Sequence, residues 1–206
     1  MGTRHLIAVQ VDGKYPVAQY GQWDGYPDGQ GVRVLRFLRD EMREDTFKRK
    51  VRALREVDAA WKLAQFPLAK SLEDVSREDK ARFFQRHPQL TRDAGSKVLG
   101  MIQSGDEGLP IETEITFAGE SLYCEWAYVI DFDARTFEAF KGVNKDVLDP
   151  AERFASQPVG SYVPRDGVPY QQVKHVHTWS LDDLPSDEIF LAVLEPPEDA
   201  EDEAAA

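Results

Sequence analysis

Three stretches of this sequence bring together residue types that can do chemistry. The first is Gly21-Gln22-Trp23-Asp24-Gly25-Tyr26-Pro27-Asp28-Gly29-Gln30-Gly31. Trp23 and Tyr26 are rings that can stack on a planar group while keeping a polar edge wet. Gly29, Gln30 and Gly31 stand where helical periodicity begins, and unpaired N–H groups at a helix start suit an anion. Arg4, brought close by the hairpin register below, could grip a carboxylate or phosphate through two parallel hydrogen bonds. The expected ligand-binding set is therefore Thr3, Arg4, Trp23, Asp24, Tyr26, Gly29, Gln30 and Gly31. A plainer account also fits each residue singly: Asp28 caps the helix, Asp24 caps a turn, Arg4 pairs with Asp24, and the rings plug the sheet end. Taken as a cluster, the residues point equally to a ligand.

The second stretch is His175-Val176-His177. On a strand both imidazoles project from one face, a spacing that metal sites use. A third ligand would have to come from Asp131, Asp133 or His5, and nothing in the spacing supplies one. The expectation is a pair of half-buried strand histidines with no metal and no cofactor. The third stretch, Asp131-Phe132-Asp133, places two carboxylates at a strand exit. They could do acid–base work, but such a pair more often caps the following turn, here before Ala134-Arg135. Cys124 falls on the apolar face of its strand with Leu122 and Trp126 and reads as a packing thiol.

These residues need elements to hold them. His5–Val11 and Lys14–Tyr20 flank Asp12-Gly13, a favoured pair for a two-residue hairpin turn. Paired positions then sum to 25, so His5 faces Tyr20, and Thr3 and Arg4 lie beside the start of the glycine-rich loop. Ile7, Val9, Val11 and Ala18 should share one face, and Leu6, Ala8, Val17 and Tyr15 the other. Pro16 removes a ladder donor and marks an edge or a bulge. Helical spacing predicts a helix through Leu35, Leu38 and Met42. A second follows through Phe47, Val51, Leu54 and Trp61, then a third over 76–87 and a fourth over 91–104. Alternation at Ile111, Thr113, Ile115 and Phe117, then over 122–132 and 136–141, predicts an antiparallel meander. A strand near Val173–Trp179 and a helix from Ser186 to Leu194 close the pattern. The fold class is α+β, antiparallel sheet covered by helices, with a helix–sheet–sheet–helix sandwich as one arrangement of that order. One domain should span residues 1–194.

The chain of 206 residues carries 37 acids and 25 bases, a formal net charge of −12. That balance opposes nonspecific binding to nucleic acid or anionic lipid. Six of the acids fall in 195–206, which reads as a disordered, solvated tail. No apolar stretch is long enough to span a membrane, and no secretory signal pattern opens the chain, so a cytoplasmic protein is expected. Nine bases against four acids between Arg33 and Arg55 make a locally positive helical face. It is read as solvated, with a partner docking at Arg36 and Arg43 as the alternative.

The opening Gly-Thr-Arg-His-Leu-Ile and the later Tyr-Gly-Gln-Trp-Asp-Gly-Tyr-Pro-Asp-Gly-Gln-Gly resemble the opening of a group of bacterial and phage proteins without an assigned activity. The resemblance implies a bacterial or phage-infected cytoplasm and carries no chemistry. Thr3, Arg4 and the hairpin are also similar to N-terminal nucleophile hydrolases of the choloylglycine type, which implies layered helices and sheets. Gly2 stands where those enzymes have their nucleophilic cysteine, so that activity should be absent. The expected function is a binding protein holding a small anionic or nucleotide-like ligand, or a protein target, at the loop from Trp23 to Gly31. The alternatives are a hydrolase, metal-assisted or not, using Asp24, Asp131 or His175 and His177, and an interaction protein using the basic helix face.

Overall fold

The computed structural model of the chain describes residues 2–195. All of the expected acidic tail except Glu195 lies outside these residues. In chain order the strands are β1 (His5–Val11), β2 (Lys14–Gly21), β3 (Arg55–Glu56), β4 (Pro110–Ile111), β5 (Trp126–Asp131), β6 (Thr136–Lys141) and β7 (Lys174–Ser180). Five of them build one sheet in the order β2-β1-β5-β6-β7, and β3 pairs separately with β4. Between β2 and β5 come α1 (Val32–Arg36), α2 (Glu44–Arg52), α3 (Ala59–Ala64), α4 (Arg77–Arg86) and α5 (Lys97–Ser104). Wider helical turns extend α1 at both ends, over Pro27–Gly31 and Phe37–Glu41. The last helix, α6 (Asp187–Leu194), is capped by Ser186, whose hydroxyl accepts from the Ile189 N–H.

The chain is α+β, with a mostly antiparallel sheet. Its departure from antiparallel is β1 against β5, which run parallel from His5↔Trp126 to Gln10↔Asp131. Among the described residues one five-stranded and one two-stranded sheet form, not the two large sheets a sandwich needs. One face is covered by α1, α2, α5 and α6, whose Leu35, Phe47, Leu99 and Phe190 pack on Ile7, Val9, Tyr128, Ile130 and Phe137. Irregular chain covers the other face: Ala118, Cys124, Leu148, Phe154 and Val173 meet Leu6, Ala8, Ala18, Val129 and Phe140. A smaller cluster of Val57, Phe83 and Leu90, with Trp61 and Phe66, holds α3 to α4.

The hairpin register departs from expectation for a local reason. Asp12 and Gly13 both take positive φ, 54° and 70°, as the two-residue turn requires. Val11 pairs with Lys14, but Val9 pairs with Val17 and His5 with Gly21. Tyr15 and Pro16 of β2 stand opposite the single residue Gln10 of β1, a bulge where Pro16 marked an edge or a bulge. One extra residue shifts every later pair by one and exchanges faces. Val17 therefore joins the helix-covered core and Ala18 the opposite one, the reverse of the predicted assignment.

Elsewhere the expected elements shorten. The 111–117 alternation gives a two-residue strand and then a helical turn over Ile115–Gly119. The second predicted helix breaks after Arg52 and restarts at Ala59, where the Asp58 carboxylate accepts from the Trp61 N–H at 2.7 Å. No helix among the described residues is long and apolar enough to cross a membrane.

Candidate ligand recess at the loop end of the sheet

Because β1 and β5 run parallel, their first residues meet at one end of the sheet. There the Glu125 N–H donates to the Arg4 carbonyl at 3.0 Å, and the Arg4 N–H donates to the Glu125 carboxylate at 3.3 Å. The glycine-rich loop closes over the same end. Its Gly25 N–H donates to the Thr3 carbonyl at 3.0 Å, and the buried Tyr128 hydroxyl donates to the Gly25 carbonyl at 3.0 Å. Burial first, then the Glu195 and Asp28 carboxylates, push the Tyr128 phenol well above its usual range, so it stays a donor. Removing that hydroxyl with Tyr128→Phe strands a buried carbonyl. The expected loss is about 1–2 kcal/mol in urea unfolding, and an unchanged midpoint would show that water replaces the donor.

The loop's own polar groups are largely spent on holding it. Gly29 N–H and Gly31 N–H donate to the Tyr26 carbonyl, and Gln30 N–H donates to the Asp24 carbonyl at 2.9 Å. The three donors expected to greet an anion are thus occupied within the chain. Gln30 is buried, and its side-chain oxygen accepts from the Ser96 N–H at 2.8 Å. Gly31 is glycine because a Cβ there would stand 2.9 Å from the Tyr128 hydroxyl. Asp24 takes a positive φ of 64° and pairs with Arg33 at 2.8 Å, not with Arg4.

Trp23 and Tyr26 remain about half exposed, at 51% and 48%. They part company, however. The Trp23 indole lies against the Gly2 backbone and donates its N–H to Asp93 at 2.9 Å. Tyr26 instead borders a recess of about 420 Å³ together with Gly2, Thr3, Arg4, Leu122, Tyr123, Glu125 and Val143. The Arg4 guanidinium sits 5.1 Å from the Tyr123 ring centre and makes no ion pair among the described residues. Across the Leu122–Tyr123 ridge lies a second recess of about 460 Å³, bordered by Gly119, Glu120, Ser161, Tyr162 and Tyr170. Of the eight predicted residues, Thr3, Arg4 and Tyr26 border the first recess. Trp23, Asp24, Gly29, Gln30 and Gly31 brace the loop behind it.

Tyr123 and Glu125 were missed by sequence reasoning. Their stretch reads as strand interior, and only the parallel pairing of β1 with β5 sets them beside Arg4.

The groups expected to serve a hydrolase are dispersed. Asp131 lies at the opposite end of the sheet, nearly fully buried. One of its oxygens caps the turn by accepting from the Asp133 and Ala134 N–H groups, each at 2.9 Å. Its other oxygen accepts from Arg153 at 2.6 Å. Asp133 accepts from the Asp12 and Gly13 N–H groups, each at 2.8 Å, tying one turn to the other. The two strand histidines do not share a face. A second ladder irregularity pairs His177 with Ala139 but His175 with Phe140, residues that belong to opposite cores. His177 lies tilted against Trp179, with ring centres 4.5 Å apart, and His175 meets Phe140 edge-on at 5.4 Å. No group of three or more metal-ligating side chains gathers among the described residues. Cys124 is fully buried, and burial, then Glu125 and Glu120, push its thiol far up, as suits a packing residue.

The basic face is threaded with acids: Arg36 and Arg39 both reach Asp187, and Arg52 grips Asp12 through two hydrogen bonds. Comparison of the chain with family models, with curated proteins and with solved structures finds no match.

Proposed function

We propose that this protein is a binding protein and that its ligand occupies the recess between Arg4, Tyr26 and Tyr123. The observation that carries the reading is the Arg4 guanidinium, held over the Tyr123 ring beside a recess of about 420 Å³, without a carboxylate partner among the described residues. Small-molecule sites are concave, largely apolar, and oriented by a few polar groups. Leu122, Val143 and the two tyrosines supply the apolar wall, and Arg4 the orienting charge. A planar group carrying a carboxylate or phosphate is the chemistry such a recess accepts: the ring packs on Tyr26, and the anion meets the guanidinium. Thr3 and the loop behind Tyr26 hold the wall in place through the Gly25–Thr3 hydrogen bond.

The test is a thermal-shift panel of aromatic carboxylates and nucleoside monophosphates, followed by titration of whichever compounds raise the melting temperature. Arg4→Ala should weaken binding about tenfold or more, the loss of one charge-assisted contact. Tyr26→Ala should weaken it several-fold with little effect on the free protein, since this ring is half exposed. A panel without a hit, or a hit indifferent to both substitutions, sinks the reading.

A further inference from the structure

The recess holds a second charge besides that of Arg4. Glu125 borders it beside the arginine, yet the two side chains form no ion pair. The backbone explains why. One Glu125 oxygen is held on the Arg4 N–H at 3.3 Å, at the sheet end, while the guanidinium is drawn away over the Tyr123 ring. Glu125 makes no ion pair with any other described residue, and neither does Arg4. Opposite charges normally collapse onto each other when a flexible arginine can reach. Here they flank one recess, separated by the anchoring of one and the placement of the other over a ring.

We infer that the ligand is a zwitterion of the α-amino acid type, with its carboxylate on Arg4, its ammonium on Glu125, and a planar side chain between Tyr26 and Tyr123. The inference rests on the ligand-binding reading above and adds the ammonium to it. Recess size agrees, since about 420 Å³ accommodates one aromatic amino acid with space for water. An analogue with either charge blocked leaves one of the two protein charges desolvated and unpaired, which is what makes such a site selective.

L-phenylalanine, N-acetyl-L-phenylalanine and L-phenylalaninamide, titrated into the full chain and followed by tyrosine and backbone NMR shifts, separate the possibilities. The free amino acid should bind, with perturbations at Tyr26 and Tyr123, and each blocked form should bind about tenfold more weakly. Glu125→Gln keeps the oxygen that accepts from the Arg4 N–H, so the fold is retained. This variant should lose the preference for the free amino acid over its N-acetyl form. Arg4→Gln should lose the preference for the free amino acid over the amide.

If the N-acetyl form binds as tightly as phenylalanine and Glu125→Gln changes nothing, the zwitterion is wrong while the ligand recess stands. The zwitterion also falls, and the recess survives, if phenylalanine fails to bind but an aromatic carboxylate or nucleoside monophosphate does so through Arg4. If none of these compounds perturbs the recess, both readings fall together.

Discussion

Replacing Arg153 with methionine should cost about 3–5 kcal/mol of stability, the usual penalty for stranding buried charges. The guanidinium reaches into the irregular side of the sheet and binds two carboxylates at once. It donates to Asp131 at 2.6 Å and to both oxygens of Glu138, at 2.6 and 2.7 Å. The Tyr15 hydroxyl, at 2.8 Å, and the Gln10 side-chain carbonyl accept from the remaining donors. Side-chain exposure is 15% for Arg153, 3% for Asp131 and 11% for Glu138. Burial alone would loosen the arginine's hold on its proton, but the hydrogen bonds to Glu138, Asp131 and Tyr15 outweigh it and hold the charge more firmly than usual. With the arginine gone, two carboxylates face each other in a poorly solvated space. The melting temperature should fall by about 10 °C, given roughly 2–4 °C per kcal/mol at this size. Adding Glu138→Gln to the variant should return part of the loss by removing one of the two charges. A deficit below about 1 kcal/mol in urea unfolding would mean that water already solvates the cluster, and the account of this face would be wrong.

That cluster also shows how far local sequence reaches. The hairpin turn at Asp12-Gly13 and the helix starts at Ser76 and Ser186 were legible, because each depends on residues within a few positions of one another. The bulge was legible only in part: Pro16 marked an edge or a bulge, but not the register that results. It is held by what the Tyr15 hydroxyl finds, namely Arg153, 138 positions away. The same slip exchanged Val17 with Ala18 between the two cores, and a comparable irregularity in β7 parted His175 from His177. At the loop end, Thr3, Arg4 and Tyr26 could be gathered from turn chemistry alone. Tyr123 and Glu125 could not, since the parallel pairing of β1 with β5 joins segments more than a hundred residues apart. Nor did the pattern of glycines reveal that loop N–H groups would be consumed by Tyr26 and Asp24. Glycine signals a close approach of backbone, but the approaching partner here is the protein's own Tyr128.

Lowering the pH from 7 to 4 should destabilise the protein by about 3 kcal/mol more than it destabilises a His5→Leu variant. His5 is 1% exposed, and among the described residues neither ring nitrogen has a partner in hydrogen-bond geometry. Its imidazole lies against the Gly21 backbone, 2.1 Å from where a Cβ would stand, and beneath Gly25. Desolvation dominates and lowers its pKa from 6.5 to about 4. The Thr3 carbonyl and Asp24 pull the other way, and Arg33, paired with Asp24, pushes it further down. The sign follows from which state takes the proton. At pH 7 the folded ring is neutral and the unfolded one mostly so, and the slope is small. Below about 6.5 the unfolded chain binds a proton that the folded protein refuses, so stability falls steadily until the folded ring also protonates near pH 4. Carboxylates common to both proteins cancel in the difference, which isolates the histidine from general acid unfolding. Urea midpoints at pH 7.5, 5.5 and 4 are sufficient. Parallel pH dependences for the two proteins would mean that the ring finds water or a partner in solution. A steeper fall for the parent would tie the acid sensitivity to the imidazole under the loop that frames the ligand recess. The first amide to lose protection from exchange should then be Gly25, whose bond to Thr3 closes that loop over the ring.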